Sequence, residues 1–499
     1  MRSSLKRLLA LMLAALMLLS LAACGTTEEN PDQSESLTGS DVEDDTENQD
    51  YVCDLPEDLN YGNEEINFMY VKVAGRDDEL ISENLGNGTI PDAVYERNLA
   101  VENQLKVKLV FNEQTTDALA QAAINTAVKG GDRTLDIFVI GTYCAVSPAI
   151  QGCYLNLNAV ENVDTTKHYW SQDYNNIVTF TSDNKQYLAT SPAALSLFRL
   201  TYLTIFNREL FNDRKIPDLY ETVDNGEWTL EYQYQLAADA WVDSDGNGKE
   251  SKDDFYGFIT GSCISVDAYC TASDIHLVTR DETGYMVYNA DKLDALVDMA
   301  EKVSTLYNAQ GTYVFQGQPQ DDIGLYYIIE KFAEQQGLMA TTQFLSIETH
   351  IESLAEFSYG IVPMPKLTRE QDAYKTYVQD QVSAFGISAA IGDEKRQAML
   401  GAVMESLAYN SYKIVRPAYY DSALSLRFMQ DPQSRAILDT MFETIAFDYT
   451  YVTDVGGVRG TLRTLLPSKS PAIASRAKSW QRTISKQLER DNAAIEKLP

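Results

Sequence analysis

The most distinctive local pattern in this sequence is a run of acidic and polar residues that could bind a metal ion. Oxygen-bearing side chains occupy the first, third, fifth, ninth and twelfth positions of a twelve-residue segment. Gly248 occupies the sixth, where a cation-binding loop must turn sharply. The side chains are those of Asp243, Asp245, Asn247, Ser251 and Asp254, and the backbone carbonyl of Lys249 would serve at the seventh position. The spacing is typical of a calcium loop and predicts a structural Ca²⁺, or a cation of similar size, that stabilises this long loop.

Two features of the segment leave a plain acidic turn open as the alternative. The twelfth residue is Asp254, which is shorter than the glutamate that supplies two oxygens at this position of a calcium loop. The residues that follow, 255–258, favour a strand, whereas an EF-hand would begin its exit helix here.

Residues suited to enzyme catalysis form no recognisable pattern. The three histidines, His168, His276 and His350, lie outside the H-E-x-x-H spacing of zinc hydrolases, and the sequence has no G-x-S-x-G nucleophile elbow. Among 73 Asp and Glu residues, a carboxylate pair for glycoside hydrolysis could always be nominated, so such a pair has little weight. We therefore predict no catalytic residue, no catalytic cofactor and no enzyme activity.

The first 24 residues have the features of an export signal. Arg2, Lys6 and Arg7 precede an apolar run of about 14 residues at 8–21, shorter than the roughly 20 needed to span a bilayer as a helix. The run ends in Leu-Ala-Ala-Cys-Gly at 21–25, which resembles the lipobox of bacterial lipoproteins. This predicts removal of residues 1–23, acylation of Cys24 and a lipid-anchored protein on the extracellular face of the cell membrane. An uncleaved anchor and a soluble secreted protein are the alternatives.

A strongly acidic segment follows the lipobox. Residues 26–50 contain ten Asp or Glu and no Lys or Arg, so we predict that residues 24–54 form a disordered tether. The formal net charge of −33 becomes −36 without the three leader cations, which argues against nucleic acid and anionic membrane surfaces as partners. Plain solubility would explain the charge equally well.

Five further cysteines could form disulfides outside the cell. Cys144 with Cys153 and Cys263 with Cys270 are close in sequence, which would leave Cys53 unpaired. Spacing does not distinguish these disulfides from free buried thiols. Neither C-x-x-C spacing nor a Cys/His cluster indicates zinc.

The remaining 440 or so residues are too many for one hydrophobic core and predict at least two lobes. Strand and helix patterns alternate from 65 to 140, which predicts a parallel α/β sheet, with the loop Gly141-Thr142-Tyr143 at its carboxyl edge. Predicted strands are 65–73, 107–112, 135–140, 187–190, 201–206 and 337–342, and predicted helices are 92–104, 118–128, 230–241, 292–307, 325–335, 397–410, 433–445 and 472–498.

Several short motifs along the chain resemble, in their order, those of a known family. They are 136–140 followed by Gln151-Gly152, Thr-Ile-Phe-Asn-Arg at 204–208, Gly-Glu-Trp-Thr at 226–229, Gly-Ile-Val-Pro-Met-Pro-Lys at 360–366, Tyr419-Tyr420 and 431–434. The ordered set resembles the extracellular solute-binding proteins of bacterial ABC importers, in the sugar-type branch called family 1. The resemblance runs from about residue 60 to the C-terminus.

The resemblance implies a two-lobed, periplasmic-binding-protein-like fold of type II, in which each lobe is a mostly parallel sheet flanked by helices. The first lobe would comprise 55–192 and 355–405, and the second 193–354 and 406–499. Chain crossings near 191–192, 351–357 and 407–412 would form a hinge that closes on the ligand.

The resemblance also implies ligand-contacting positions in the strand-end loops. They are Thr142, Tyr143, Phe198, Arg199, Gln343, Phe344 and Arg459. Amide and guanidinium groups beside aromatic rings suit sugars, which offer hydroxyls and flat apolar faces. Each aromatic could equally be core packing, and each arginine could equally belong to a surface ion pair.

The function implied is capture of a small polar solute, most simply a mono- or oligosaccharide, by a monomer that delivers it to ABC permease subunits. A surface-anchored carbohydrate-active hydrolase and an adhesin or scaffold lipoprotein are the alternatives.

Overall fold

The computed structural model describes residues 53–181, 183–316, 322–426, 432–469 and 472–499. The predicted leader, Cys24 and nearly all of the predicted tether lie outside these ranges and stay predictions. Among the described residues, no helix combines the length and apolarity required to cross a bilayer.

Thirteen strands are present in the described ranges. They are β1 (Glu64–Val71), β2 (Val107–Gln114), β3 (Ile137–Gly141), β4 (Tyr202–Asn207), β5 (Tyr256–Gly261), β6 (Val278–Arg280), β7 (Met286–Tyr288), β8 (Thr312–Phe315), β9 (Gly337–Gln343), β10 (Tyr359–Pro363), β11 (Thr376–Tyr377), β12 (Ser383–Ile387) and β13 (Ile445–Ala446).

The helices of the described ranges surround these strands. They are α1 (Thr89–Leu105), α2 (Asp117–Gly130), α3 (Thr142–Ile150), α4 (Gln172–Val178), α5 (Ser196–Arg199), α6 (Arg208–Asp213), α7 (Leu219–Asp224), α8 (Leu230–Ala237), α9 (Ile264–Ala272), α10 (Leu293–Tyr307), α11 (Asp322–Ala333), α12 (Phe344–Ser346), α13 (Glu352–Leu354), α14 (Glu394–Asn410), α15 (Arg416–Leu424), α16 (Pro432–Glu443), α17 (Tyr449–Thr453), α18 (Val458–Leu465) and α19 (Ile473–Ile495). Wider π turns lie at Ile347–Ile351 and Ser411–Val415.

Two larger sheets organise the chain. The first has the order β12-β3-β1-β2, in which β1 runs parallel to β2 and β3, and β12 is antiparallel. The second has the order β10-β4-β9-β5-β8, in which β5 runs parallel to β8 and β9, and β4 is antiparallel to its neighbours β9 and β10. The expected mixed α/β architecture with two mostly parallel sheets is confirmed.

The apolar runs in the sequence explain which strands are central. Every residue of β3, β4 and β9 is buried, as expected for strands covered by helices on both faces of a sheet. The edge strand β2 alternates buried and exposed residues at its start and becomes exposed towards its end. Burial therefore follows position in the sheet, and the buried strands supply the cores of both sheets.

The prediction of a loop at Gly141-Thr142-Tyr143 is wrong for the last two residues, because helix α3 begins at Thr142 directly after β3. Two backbone N–H groups of its first turn are satisfied by a distant segment. Thr142 N donates to Val382 O at 2.9 Å, and Tyr143 N donates to Asp380 O at 3.0 Å. The helix start depends on a partner about 240 residues away, which local sequence signals do not reveal.

One strand lies in a different sheet from the one expected. The resemblance implies that residues 355–405 belong to the first lobe, but Tyr359–Pro363 pairs antiparallel with β4 in the second sheet. The chain returns to the first sheet only at Ser383, where β12 pairs with β3. The boundary is displaced because β10 is a buried strand that continues the hydrogen-bonded ladder of the second sheet.

The cysteines in the described ranges do not form the two suggested disulfides. Cys53, Cys144, Cys153, Cys263 and Cys270 are all free thiols. Burial raises the pKa of both Cys144 and Cys153, so the thiol form is favoured.

Trp228 is a large fully buried side chain beside the second sheet. Its indole N–H donates to Pro363 O at 2.8 Å, at the end of β10, and the chain around it pairs with Lys366. The ring therefore joins the segment before α8 to the segment that leaves the second sheet.

We expect Trp228→Ala to lower the free energy of unfolding by about 3 to 5 kcal/mol, because a large buried side chain and a buried hydrogen bond are both lost. Leu99→Ala on α1, where the residue is 44% exposed, should change it by no more than about 0.5 kcal/mol. Urea denaturation followed by circular dichroism measures both. Equal effects of the two substitutions would contradict the placement of Trp228.

Candidate functional site

The carboxyl edges of the two sheets face each other. Gly75, in the loop after β1, has a φ of +81°, and a Cβ built there would lie 3.0 Å from Leu200 and 3.2 Å from Leu345. Leu345 follows β9 by two residues, so the loop leaving one sheet lies against the chain leaving the other. In open α/β sheets, ligands bind beyond the carboxyl ends of the strands, which makes this junction the candidate site.

A short stretch of chain, residues 379–382, occupies the junction and is called here the crossing segment. Its Asp380 and Val382 carbonyls accept the first N–H groups of α3, as described above. Gln379 N donates to Leu200 O at 3.0 Å, immediately before β4. The crossing segment is therefore hydrogen-bonded to the ends of both sheets.

Side chains of the crossing segment meet two residues that the sequence resemblance had singled out. The amide of Gln343 at the end of β9 donates to the amide oxygen of Gln379. Arg459 on α18 forms an ion pair with Asp380, and their side chains are only 14% and 10% exposed. Desolvation lowers the pKa of Arg459 despite nearby acidic groups.

Four of the seven predicted ligand positions thus lie around the crossing segment: Thr142, Tyr143, Gln343 and Arg459. The Thr142 hydroxyl is buried and donates to Val382 O at 2.9 Å. Tyr143 is half-buried, and its hydroxyl donates to Asp117 at 3.2 Å.

Asp117 fixes the first-sheet side of the junction. It accepts two hydrogen bonds from Arg76, at 3.0 and 2.6 Å, and one from Gly141 N at 2.6 Å. Burial, followed by the Asp117 charge, raises the pKa of Tyr143 well above its ordinary value. The phenol is therefore a neutral hydrogen-bonding group at the end of β3.

A second buried ion pair, which the sequence motifs do not reveal, joins Arg463, also on α18, to Asp267 on α9. Arg463 Nε donates to Asp267 Oδ1 at 3.0 Å, and the Tyr377 hydroxyl donates to Asp267 Oδ2 at 3.4 Å. Burial raises the pKa of Asp267, although Arg463 opposes the shift. Arg463 lies one helical turn after Arg459. The i, i+4 spacing of the two arginines is the sequence feature that places both on one face of the helix.

The other three predicted positions form a separate cluster. Phe198 stacks on Tyr419 with ring centroids 5.4 Å apart, and Phe344, which is fully buried, lies 5.8 Å from Phe442. This arrangement is that of an aromatic core. Contact of Phe198 and Phe344 with a ligand stays a prediction.

Arg199 lies beside this aromatic cluster and contacts two carboxylates. It forms an ion pair with Asp78 in the loop after β1, and its Nε lies 3.7 Å from Glu348 in the π turn after β9. Burial raises the pKa of Glu348 to about 7, while Arg199 and the Tyr419 hydroxyl partly oppose the shift. Arg199 therefore connects acidic groups that follow strands of different sheets.

The predicted cation loop is a compact exposed turn before β5. Carboxylate oxygens of Asp243, Asp245 and Asp254 all lie within 4.8 Å of one another. Gly246 and Gly248 adopt φ values of +72° and +73°, which side-chain-bearing residues rarely adopt. As the sequence indicated, the strand β5 follows the loop instead of an exit helix.

Asp254 is held by backbone and indole donors. Ser244 N donates to Oδ1 at 2.9 Å, Ser251 N donates to Oδ2 at 2.8 Å and Trp241 Nε1 donates to Oδ2 at 3.3 Å. Burial opposes ionisation, but these donors lower the pKa of Asp254 overall. Oδ2 thus already accepts two hydrogen bonds, whereas Oδ1 accepts one and keeps a lone pair that fits a hard cation.

We expect the contribution of Glu348 to the stability of the wild-type protein to fall as pH rises from about 4.5 to about 7, because ionisation of Glu348 is disfavoured in the folded state. Glu348→Gln removes this contribution. The free energy of unfolding of the variant, relative to that of wild type, should therefore rise between pH 5 and pH 8. Urea denaturation at both pH values measures it, with Glu301→Gln on the exposed face of α10 as the control. A pH-independent difference for Glu348→Gln would contradict the burial of its charge.

Neither family models nor curated proteins match this chain. Solved structures do match. UspC from M. tuberculosis gives a TM-score of 0.54 at 14% identity, covering 85% of this chain and 99% of its own. A family 1 extracellular solute-binding protein from Bifidobacterium longum subsp. infantis gives 0.52 at 13% identity, covering 87% and 98%.

The maltose/maltodextrin-binding domain MalE from Bdellovibrio bacteriovorus, bound to maltotriose, gives a TM-score of 0.50 at 14% identity, covering 85% of this chain and 100% of its own. These likenesses extend over nearly the whole length of each neighbour, at an identity that establishes fold. The described chain therefore has the two-lobed α/β fold of the family 1 extracellular solute-binding proteins, as its ordered motifs predict.

Proposed function

We propose that this chain captures a small polar solute of the sugar class between its two sheets and delivers it, unchanged, to an ABC importer. The observation that carries the proposal is the crossing segment, where Gln343, Gln379, Asp380 and Arg459 converge between facing carboxyl edges. The names of structural neighbours support it, because MalE is described as bound to maltotriose and Lmo0181 from Listeria monocytogenes as in complex with cycloalternan.

The chemistry of these groups suits hydroxyl-rich ligands. Asp380 is an acceptor, Arg459 is a donor, and the amides of Gln343 and Gln379 are both. A sugar hydroxyl donates one hydrogen bond and accepts others, so it can insert into the pair between Asp380 and Arg459 and satisfy both. The same groups bond to each other when no hydroxyl is present, which avoids leaving a buried charge unpaired.

Closure would follow from the way the site is shared between sheets. Thr142 and Tyr143 belong to the end of β3, whereas Gln343 belongs to the end of β9. A solute bonded to both sides favours the closed arrangement, and hinge bending in the chain crossings would release it. This role requires no chemical change in the solute.

We further propose that the protein lies on the extracellular face of the cell membrane. An acylated Cys24 would anchor it there, and the acidic tether would keep the folded body near the permease without fixing its orientation.

We expect at least one mono- or oligosaccharide in a broad panel to raise the melting temperature, and chromatography to recover it unaltered. Gln343→Ala should weaken binding about three- to ten-fold, because one neutral hydrogen-bonding group is lost and no charge is left unpaired. Gln235→Ala on the exposed side of α8 is the matched control and should bind as wild type. A new product on the chromatogram would favour the hydrolase alternative. A panel in which no solute raises the melting temperature would favour the adhesin alternative.

We also propose that the loop from Asp243 to Asp254 binds a structural Ca²⁺. Three convergent carboxylates beside Asn247 and Ser251 form an oxygen-only donor set, the kind that calcium prefers. The ion would offset the mutual repulsion of Asp243, Asp245 and Asp254 and stabilise the turn that leads into β5.

We expect Ca²⁺ at 100 times its dissociation constant to stabilise the protein by about 2.7 kcal/mol, and a chelator to reverse the effect. The double variant Asp243→Asn, Asp245→Asn should lose most of the calcium-dependent rise in melting temperature. Asp294→Asn on the exposed first turn of α10 should retain it. A melting temperature that is unaffected by Ca²⁺ and chelator would leave a plain acidic turn as the explanation.

A further inference from the structure

Helix α19 has a charge opposite in sign to that of the whole protein. It contains five Lys or Arg residues and two acidic residues, whereas the formal net charge of the chain is −33. The segment from 455 to 490 contains eight Lys or Arg residues and one acidic residue, Glu489. The cations of α19 are Arg476, Lys478, Arg482, Lys486 and Arg490. A basic surface therefore lies on an otherwise acidic protein.

Four of these cations form a single row, called here the basic stripe: Lys478, Arg482, Lys486 and Arg490. They follow one another at i, i+4 spacing, so they lie one above the other on the same face of the helix. The buried face of α19 is supplied by Ile473, Ala477, Trp480, Ile484 and Leu488. At about 100° per residue, the centre of the stripe lies about 180° from the centre of the buried face. The stripe therefore points into solvent, and all four side chains are exposed.

Contacts within the described part of the chain do not account for the basic stripe. Arg490 pairs with its neighbour Asp491 at 3.2 Å, but the other three cations make no ion pair with any described residue. This holds even for Lys486, although Glu489 lies three residues after it on the exposed side of the same helix. Like charges at i, i+4 spacing destabilise a helix. The stripe is therefore unfavourable for α19 by itself, and an anionic partner outside the chain would offset the repulsion.

The net charge of the whole chain does not decide what this face binds. At physiological ionic strength, salt screens exposed charges beyond about 8 Å, so an anionic surface interacts mainly with the side chains nearest to it. From Lys478 to Arg490 the stripe extends along about 18 Å of helix, roughly twice that distance. The argument from total charge against anionic membranes therefore does not hold for the face formed by α19.

We propose that the basic stripe binds the anionic lipid headgroups of the membrane, and thereby gives the folded body a preferred orientation on that surface. This inference rests on the membrane-anchored location given under the proposed function. Protein partners usually bind through apolar or aromatic anchors, but α19, which is described along its whole length, exposes no large apolar side chain. A straight row of cations instead suits a plane of phosphate groups, to which it binds without insertion into the hydrocarbon.

The test is vesicle flotation with the chain from residue 24 onward, in which Cys24→Ser removes the lipid anchor. Vesicles of phosphatidylcholine alone are compared with vesicles of equal parts phosphatidylcholine and phosphatidylglycerol. This parent chain should float with the anionic vesicles alone, and added salt should release it. The triple variant Lys478→Gln, Arg482→Gln, Lys486→Gln should bind at least about ten-fold more weakly, because each cation near an anionic surface contributes about a five-fold factor.

The matched control has the same net charge as the triple variant. It is Lys72→Gln, Lys108→Gln, Lys395→Gln, which removes three exposed cations from other elements and should bind as the parent chain does. The exchange Lys478→Arg, Arg482→Lys, Lys486→Arg keeps every charge and should also retain binding. All variants should keep the melting temperature of the parent chain within a few degrees, since the substituted side chains are exposed.

The outcomes separate this inference from the proposed function. Equal flotation of the parent chain and the stripe variant overturns the inference, as does equal loss of flotation in the stripe variant and the matched control. A parent chain that ignores anionic vesicles but is retained by immobilised polyphosphate also overturns it, and makes a soluble polyanion the partner. None of these results affects solute capture, which the thermal-shift panel measures separately. Mass spectrometry that finds Cys24 unmodified in cells would overturn the anchoring itself, without changing the vesicle result.

Discussion

The junction between the two sheets depends on the crossing segment, residues 379–382, and above all on the buried pair of Asp380 and Arg459. Breaking a buried ion pair by removing one partner typically costs about 3 to 5 kcal/mol, because the remaining charge is desolvated and unpaired. The Asp380 backbone carbonyl also accepts a hydrogen bond from the start of α3. One residue therefore stabilises the fold at the same place where it presents a carboxylate to the candidate ligand site. A solute can compete for that carboxylate only by replacing the hydrogen bonds it already makes.

The path of the chain couples this site to movement of the sheets. After β10 the chain leaves the second sheet at Pro363, and it enters the first sheet at Ser383. The crossing segment is the end of that connection, so any rotation of one sheet relative to the other displaces Gln379 and Asp380. In the proposed function, binding and hinge closure would then be linked by covalent geometry, without a long-range network of side chains to transmit the change.

The sequence predicted the parts of the fold that depend on local patterns. Buried runs such as 135–140 and 201–206 identify central strands because both faces are covered. The rule that ligands bind beyond the carboxyl ends of strands predicts that Thr142 and Tyr143 lie near the candidate site. The strand β12 was missed because its Ser-Ala-Phe-Gly-Ile sequence has little β-branched character and is fixed by pairing with β3. Gln379, Asp380 and Asp267 were missed for the same physical reason: their partners are distant in sequence, and polar residues in isolation do not reveal which charge they will meet. The sequence does not distinguish core packing from ligand contact for Phe198 and Phe344, since stacking in a core and stacking on a ligand require the same residue type.

The acidic loop from Asp243 to Asp254 and helix α11 are joined by one lysine. Lys331 lies four residues after Tyr327 on α11, and its Nζ donates to the carbonyls of Lys252 and Asp254 at 2.7 and 2.6 Å. Burial lowers the pKa of Lys331 to about 8, and the ammonium lies 5.1 Å from the ring centroids of Tyr256 and Tyr313. A buried ammonium without these carbonyls would be costly, so the end of the loop and the register of α11 hold each other in place. A cation that stiffens the loop would therefore act, through β5 and Lys331, on the position of α11.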